Sequence, residues 1–263
     1  MTKVPDIPEP KFRRWRRRIA WWAMALLVVP LLGSVTLVAV GKTPHWSTAS
    51  HAPTGQAPDP TNTPEAVIQI YGARTWGWRG VFAVHTWIAI KPADAPTYTR
   101  FEVIGWRLYY DRPPLRVSQG NPDNEWFSNR PDLLGEVRGA QAAELIPKVI
   151  AAIKAYPYSD SYRTWPGPNS NTFTAFVTRA VPELSIELPV TAVGKDYLPD
   201  SAILGKPPSG SGLQLSLAGL AGVLVSAEEG IEFNILGVAF GLDFDPLAVK
   251  LPGIGRIGWR NGS

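Results

Sequence analysis

The chain has 263 residues, 45% of them hydrophobic, with 26 Lys and Arg against 22 Asp and Glu and no cysteine. Lack of cysteine excludes disulfides, thiolate nucleophiles and cysteine-held metals, and with two of the three histidines (His45 and His51) in a proline-rich stretch, no metal site is expected. The net charge of +4 is concentrated before residue 19, where Lys3, Lys11, Arg13, Arg14, Arg16, Arg17 and Arg18 meet only Asp6 and Glu9; the remainder is close to neutral, and nucleic-acid binding is not indicated.

Ile19 to Val40 is a run of 22 residues without a charge. At helical rise that is enough to cross about 30 Å of hydrocarbon. Trp15, Trp21 and Trp22 stand at its start, beside the basic cluster, where aromatic side chains favour the headgroup zone. The expected organisation is a basic cytoplasmic segment (1–18), a transmembrane helix (19–40), a proline-rich linker (41–64) and a folded domain (65–263) outside a bacterial inner membrane. The rival, a cleaved signal peptide, is disfavoured by the length of the run and the lack of a small-x-small site after it. Pro44, Pro53, Pro58, Pro60 and Pro64 make the linker an extended tether.

Val67 to Tyr71 alternates as a first strand, and Val81 to Lys91 is the clearest strand in the chain. One of its faces carries Phe82, Val84, Thr86, Ile88 and Ile90, expected as core; the other carries Ala83, His85, Trp87 and Ala89. Thr99 to Tyr110 returns as an antiparallel partner. Residues 111–132 read as a long irregular loop, in which Asp111, Asp123 and Glu125 either line a cleft or serve as turn carboxylates. A helix pattern runs over 139–156, with Pro147 as a first-turn residue or a kink. The turn Pro166-Gly167-Pro168 then leads to Asn169, a capping residue, and to Phe173, Phe176 and Val177 on one helical face.

Ser170 therefore falls in the first turn of a buried helix, where free N–H groups and the dipole favour negative charge. From Leu213 the chain reads as glycine-punctuated strands and hairpins. Glu228, Glu229 and Glu232 mark a hairpin turn. Gly219, Gly222 and Gly237 are too scattered for a phosphate loop, so no cofactor is expected. Trp76 and Trp78 offer a glycan or headgroup surface, or simply pack on the sheet. Strands followed by helices, without regular alternation, argue an α+β class built on an antiparallel sheet.

His85 is the one histidine of the domain and a candidate base; the alternative is a strand histidine bonded to a neighbour. Ser170 is a candidate nucleophile only if a base adjoins it; otherwise it belongs to the cap. The segments Gly77 to Gly80, His85 to Ile90, Asn124 to Trp126, Pro168 to Phe173 and Lys250 to Gly258 resemble the bacterial family known as domain of unknown function 3750. More distantly, the order of a histidine strand followed by Asn-Ser-Asn-Thr-Phe (Asn169 to Phe173) resembles circularly permuted papain-like domains, the NlpC/P60 and lecithin retinol acyltransferase group.

That second resemblance implies His85 as base and Ser170 in the position of the family's cysteine, with Glu102 as orienting group or, alternatively, a solvated strand-face glutamate. The function expected from it is amide or ester hydrolysis or acyl transfer on envelope peptide or lipid. The alternatives are a non-catalytic domain that binds an envelope ligand and a scaffold that offers its glycine-rich tail to a partner.

Overall fold

The computed structural model describes residues 11–40 and 44–258, and two antiparallel sheets dominate it. The first has the order β4-β3-β2-β1-β5, from Leu115–Gly120, Tyr98–Val103, Val84–Lys91, Val67–Arg74 and Asp132–Arg138. The second is a seven-stranded meander, β6 to β12, over Leu204–Gly205, Leu213–Leu217, Ala221–Ser226, Gly230–Ile235, Val238–Phe244, Leu247–Leu251 and Gly255–Gly258. Antiparallel sheets with a few helices make the domain α+β-like, as its strand and helix patterns imply.

Strand β2 is buried along its whole length, which fits its nearly unbroken apolar character. Its Val84, Ile88 and Ile90 join one core with Leu145, Val149 and Ile153 of α2 (Gly139–Lys154) and Phe173 and Val177 of α3 (Ser170–Ala180). Its His85, Trp87 and Ala89 point the other way, since side chains alternate across a strand, His85 and Trp87 toward Tyr71 and Trp126 and Ala89 toward Val67 and Tyr98. Helices cover one face of the sheet; a loop and an N-terminal strap cover the other.

Several elements depart from their sequence patterns. The strand expected from Val81 begins at Val84, because Gly77–Val81 forms a 3-10 turn, and the strand expected to reach Tyr110 ends at Val103 before a second one. The supposed loop 111–132 contains β4, an edge strand paired to β3 with Glu102 opposite Arg116. Pro147 lies inside α2. The linker 41–64 is not a free tether over its second half. Residues 50–58 strap across the sheet: Glu125 N donates to Ala52 O (2.9 Å) and Tyr98 OH to Pro58 O (3.1 Å). Asp123, neither cleft-lining nor an exposed turn residue, is buried and accepts from Thr54 Oγ1 (3.0 Å) and the backbone N–H of Gln56 (2.6 Å).

Helix α1 runs over Lys11–Val40 and continues through Pro30. Among the described residues no helix is long and apolar enough to cross a membrane; the expected span at 19–40 includes Ile19, Ala20, Ala23, Leu26, Leu27 and 37–40, whose side chains lie outside the description. The helix meets the domain at the 3-10 turn of residues 77–81 and at β11. Gly253 (φ +70°) makes this close approach possible, because a Cβ there would lie 2.5 Å from Ser34 Oγ.

Candidate functional site

Helix α3 starts where its sequence says. Asn169 Oδ1 accepts from the N–H groups of Asn171 (3.0 Å) and Thr172 (3.1 Å), and Thr172 Oγ1 accepts from Asn169 N (3.1 Å), a capping box. Asn169 Nδ2 also donates to Thr164 O and Val193 O. Because it ties three segments together, Asn169→Ala should cost about 2 kcal/mol, the upper end for a lost cap, read as a shift in the urea midpoint.

The start of α3 does not meet His85. Thr86 Oγ1 donates to Asn171 Oδ1 (2.9 Å), and Asn171 Nδ2 donates to Val84 O (2.9 Å). Thr86 and Val84 share the α3 side of β2, whereas His85 alternates to the opposite side. Packing of Phe173 and Val177 against Ile88 fixes this arrangement. The Ser170–His85 pairing expected from the papain-like resemblance is therefore not formed. Ser170 is buried as the first residue of a capped helix.

His85 and Glu102 do come together. His85 Nε2 lies 3.0 Å from Glu102 Oε2, and the same oxygen accepts from Arg100 Nη2 at 2.6 Å. Arg116 Nη1 stands 3.7 Å from Oε1. Glu102 is 1% exposed, so it is not a solvated strand-face glutamate. Burial alone would push its carboxyl up; the His85 hydrogen bond and the Arg100 charge outweigh burial and hold it at about 2. An ionised carboxylate only accepts, so His85 carries its proton on Nε2. Burial lowers the His85 pKa, a trend the Glu102 contact only partly offsets, and the ring stays neutral.

Aromatic rings enclose this cluster. The His85 ring stacks on Trp126 with centroids 3.9 Å apart, the Arg100 guanidinium lies 3.9 Å from the Trp87 ring centre, and Trp106 stacks on the outer side of Trp126 at 5.5 Å. Trp87 Nε1 donates to Pro122 O (2.8 Å), which holds the loop that delivers Trp126.

Beside the cluster opens a cleft of about 360 Å³, with Arg100, Glu102, Arg116 and Ser118 on its strand side and Trp106, Asn124, Trp126 and Phe127 on its loop side. His51 of the strap and Glu125 complete its rim. Arg100 Nε and Asn124 Oδ1 are buried here without a hydrogen-bond partner. Trp106 is 41% exposed, a flat apolar wall. Arg100, Arg116 and Trp106 escape a sequence reading centred on histidine and serine. The one available signal was the Arg100/Glu102 spacing of two, which puts both on one face of a strand.

As chemistry, Glu102 is held ionised between His85 and Arg100, and His85 lies beneath Trp126. The cleft offers donors, a guanidinium and an aromatic wall, which suits recognition. No curated protein and no solved structure matches the chain. One family model, described as a protein of unknown function (DUF3750), matches residues 65–197. That span takes in the five-stranded sheet, α2, α3 and every strand and loop residue of the cleft, but not Lys250 to Gly258 of the meander. Since the match covers half of the 263 residues, the chain belongs to the DUF3750 family.

Proposed function

We propose that the chain is a membrane-anchored binding domain of the bacterial cell envelope, whose cleft takes a saccharide bearing a carboxylate. The observation that carries this reading is the combination at one wall: an exposed Trp106 ring backed by Trp126, next to the half-exposed Arg116 guanidinium. A pyranose ring presents an apolar face that an indole can cover, and a guanidinium pairs with a carboxylate through two parallel bonds. Arg116 stands 3.7 Å from Glu102 and, among the described residues, makes no shorter ion pair, so it has donors to spare. Ser118, Gln119 and Asn121 supply hydroxyl and amide partners for sugar hydroxyls, and the volume lies in the ordinary range for small-ligand sites, about 300–1,000 Å³.

Anchoring rests on the uncharged run 19–40 behind a basic cluster and on α1 itself. Its Trp21, Trp22, Val28, Val29, Leu32 and Val35 are all at least 40% exposed, and apolar side chains on several sides of one helix call for a non-aqueous surrounding. The positive-inside rule then puts the domain outside.

Calorimetric titration of the full chain in detergent with a glucuronate-containing disaccharide, against its neutral glucose counterpart, tests the cleft. The acidic sugar should bind more tightly. Trp106→Ala should weaken both sugars by about 0.5–1.5 kcal/mol, the worth of an aromatic contact, and Arg116→Ala should abolish the preference for the acid. Equal binding of both sugars, or no heat from either, would sink the proposal.

A further inference from the structure

The meander is built inside out. Register places Leu213, Val225, Ile231, Leu242, Val249 and Ile257 side by side in one row across six strands. These side chains lie on the outer face, and five of the six are at least 40% exposed. The neighbouring row of the inner face runs Gln214, Leu224, Glu232, Gly241, Lys250 and Arg256, and Gln214, Glu232 and Lys250 are almost fully buried. An antiparallel sheet of a water-soluble domain turns its apolar face to the core and its polar face to solvent. Here Leu215, Leu217, Phe233, Ile235 and Phe244 are exposed as well. Seven strands at about 4.8 Å spacing make a surface nearly 30 Å wide, well beyond the few hundred Å² of apolar patch a soluble monomer tolerates.

The two ends of this sheet differ in charge. Turns 218–220, 236–237 and 252–254, all at one end, read Ala-Gly-Leu, Leu-Gly and Pro-Gly-Ile. Turns 227–229 and 245–246, at the opposite end, carry Glu228, Glu229 and Asp245. The charge-free end is the one that α1 touches, where Gly253 lies against Ser34. Ser34 is six residues inside Val40, about 9 Å at helical rise. The 3-10 turn that also meets α1 presents Trp78, 68% exposed, and the exposed Arg79, whose guanidinium lies 5.3 Å from the Trp78 ring centre.

We propose that the outer face of the meander is a lipid-contacting surface, seated in the outer leaflet of the bilayer that α1 enters, with its charge-free turns deepest and Glu228 and Asp245 at the water boundary. The occupant is acyl chain, because the sheet meets the helix at its charge-free end and that contact lies within the depth of the uncharged run. The inward polar row is the arrangement of strands that meet lipid on one side only. The inference rests on the anchor proposed above, and the probes separate the two.

The chain has no cysteine, so any cysteine introduced is a unique label. Phe233→Cys, Leu242→Cys and Leu236→Cys, each replacing an exposed side chain on a separate strand or turn, would be labelled with a polarity-sensitive fluorophore, with Glu228→Cys and Leu32→Cys as references. The full-length chain is reconstituted in phosphatidylethanolamine–phosphatidylglycerol vesicles, and far-UV circular dichroism selects the variants that keep the parent fold. The three meander labels should shift to the blue, lose quenching by aqueous iodide and gain quenching by nitroxides attached to acyl chains, most strongly at Leu236; the Glu228 label should stay open to iodide. Iodide quenching at the meander together with lipid quenching at Leu32 would overturn the seating and leave the anchor standing. Iodide quenching at all of them would overturn the anchor too. Labels shielded from both quenchers, with disulfide cross-linking between two Leu242→Cys chains, would show that a second copy covers the face and would equally overturn the proposal.

Discussion

Replacing Glu102 by glutamine should destabilise the folded chain by about 3–5 kcal/mol, the usual cost of leaving a buried charge without its partner. Arg100 is 9% exposed and gives its shortest hydrogen bond to Glu102; a neutral amide of nearly the same shape keeps the packing and removes the compensation. The pH dependence distinguishes this from a plain packing defect. In the folded chain Glu102 stays ionised down to about 2, against an ordinary value of 4.5. Its contribution is therefore complete above 4.5 and drains away as pH falls toward 2. His85 adds to the same trend, because burial lowers its pKa below 6.5 and the unfolded chain takes up its proton first. Urea midpoints of the parent chain should fall steadily below pH 6.5. The gap between the parent and Glu102→Gln should close between pH 4.5 and pH 2; a gap that stays constant across that window would refute this account.

The parts of the structure that local chemistry decides are legible in the sequence. Asn169 followed by Phe173 and Val177 announces a capped amphipathic helix, and α3 has that cap and that face. Alternation along β2 separates Thr86, Ile88 and Ile90 from His85 and Trp87. What alternation does not contain is which element covers which face. Both faces of β2 are buried, so no polar face marks the outside. The helix that should have met His85 instead found the larger aliphatic surface, and the loop at Trp126 took the other.

The cleft was illegible for a related reason. Glu102 meets Arg116 only through the β3–β4 pairing, and proline and arginine around β4 disguise an edge strand as loop. The strap shows the same limit: proline composition foretold extended chain for 41–64, while Asp123, a residue distant in sequence, decides that residues 54–57 lie against the domain. In the meander, the alternation of Leu213, Leu215 and Leu217 with Gln214 and Ser216 was plain, but its orientation was not. The polar residues turn inward because buried charges on the domain are waiting for them.

Those charges give the second large effect. Glu232 of β9 sits between two lysines that are each 1% exposed: Lys195 Nζ is 2.5 Å from Oε2, and Lys250 Nζ is 3.0 Å from Oε1. Lys195 also donates to Leu188 O (3.0 Å), and Lys250 to Glu229 O (2.6 Å) and to the carboxylate of Glu187. Burial works to lower the Lys195 pKa, but the Glu232 charge outweighs it and the ammonium is retained. Lys195 belongs to the span shared with the family and Glu232 and Lys250 to the meander, so this triad bolts the meander to the loop that follows α3. Glu232→Leu leaves the Lys195 ammonium without its carboxylate in a dry site, while Lys250 keeps Glu187 alone, and should cost about 3–5 kcal/mol. Replacing all three as Lys195→Met, Glu232→Leu and Lys250→Met removes the stranded ammonium and leaves Glu187, whose side chain is 29% exposed and reaches water, so the triple variant should be more stable than Glu232→Leu alone. Limited proteolysis reads the structural consequence: in Glu232→Leu the meander should be cut while the 65–197 core survives, and in the triple variant protection should return. If the triple variant is cut as readily as the single one, the charge balance of Lys195, Glu232 and Lys250 is not what joins the meander to the domain, and the hydrogen bonds of Gln214 and Asn234 to Asp196 do not suffice without it.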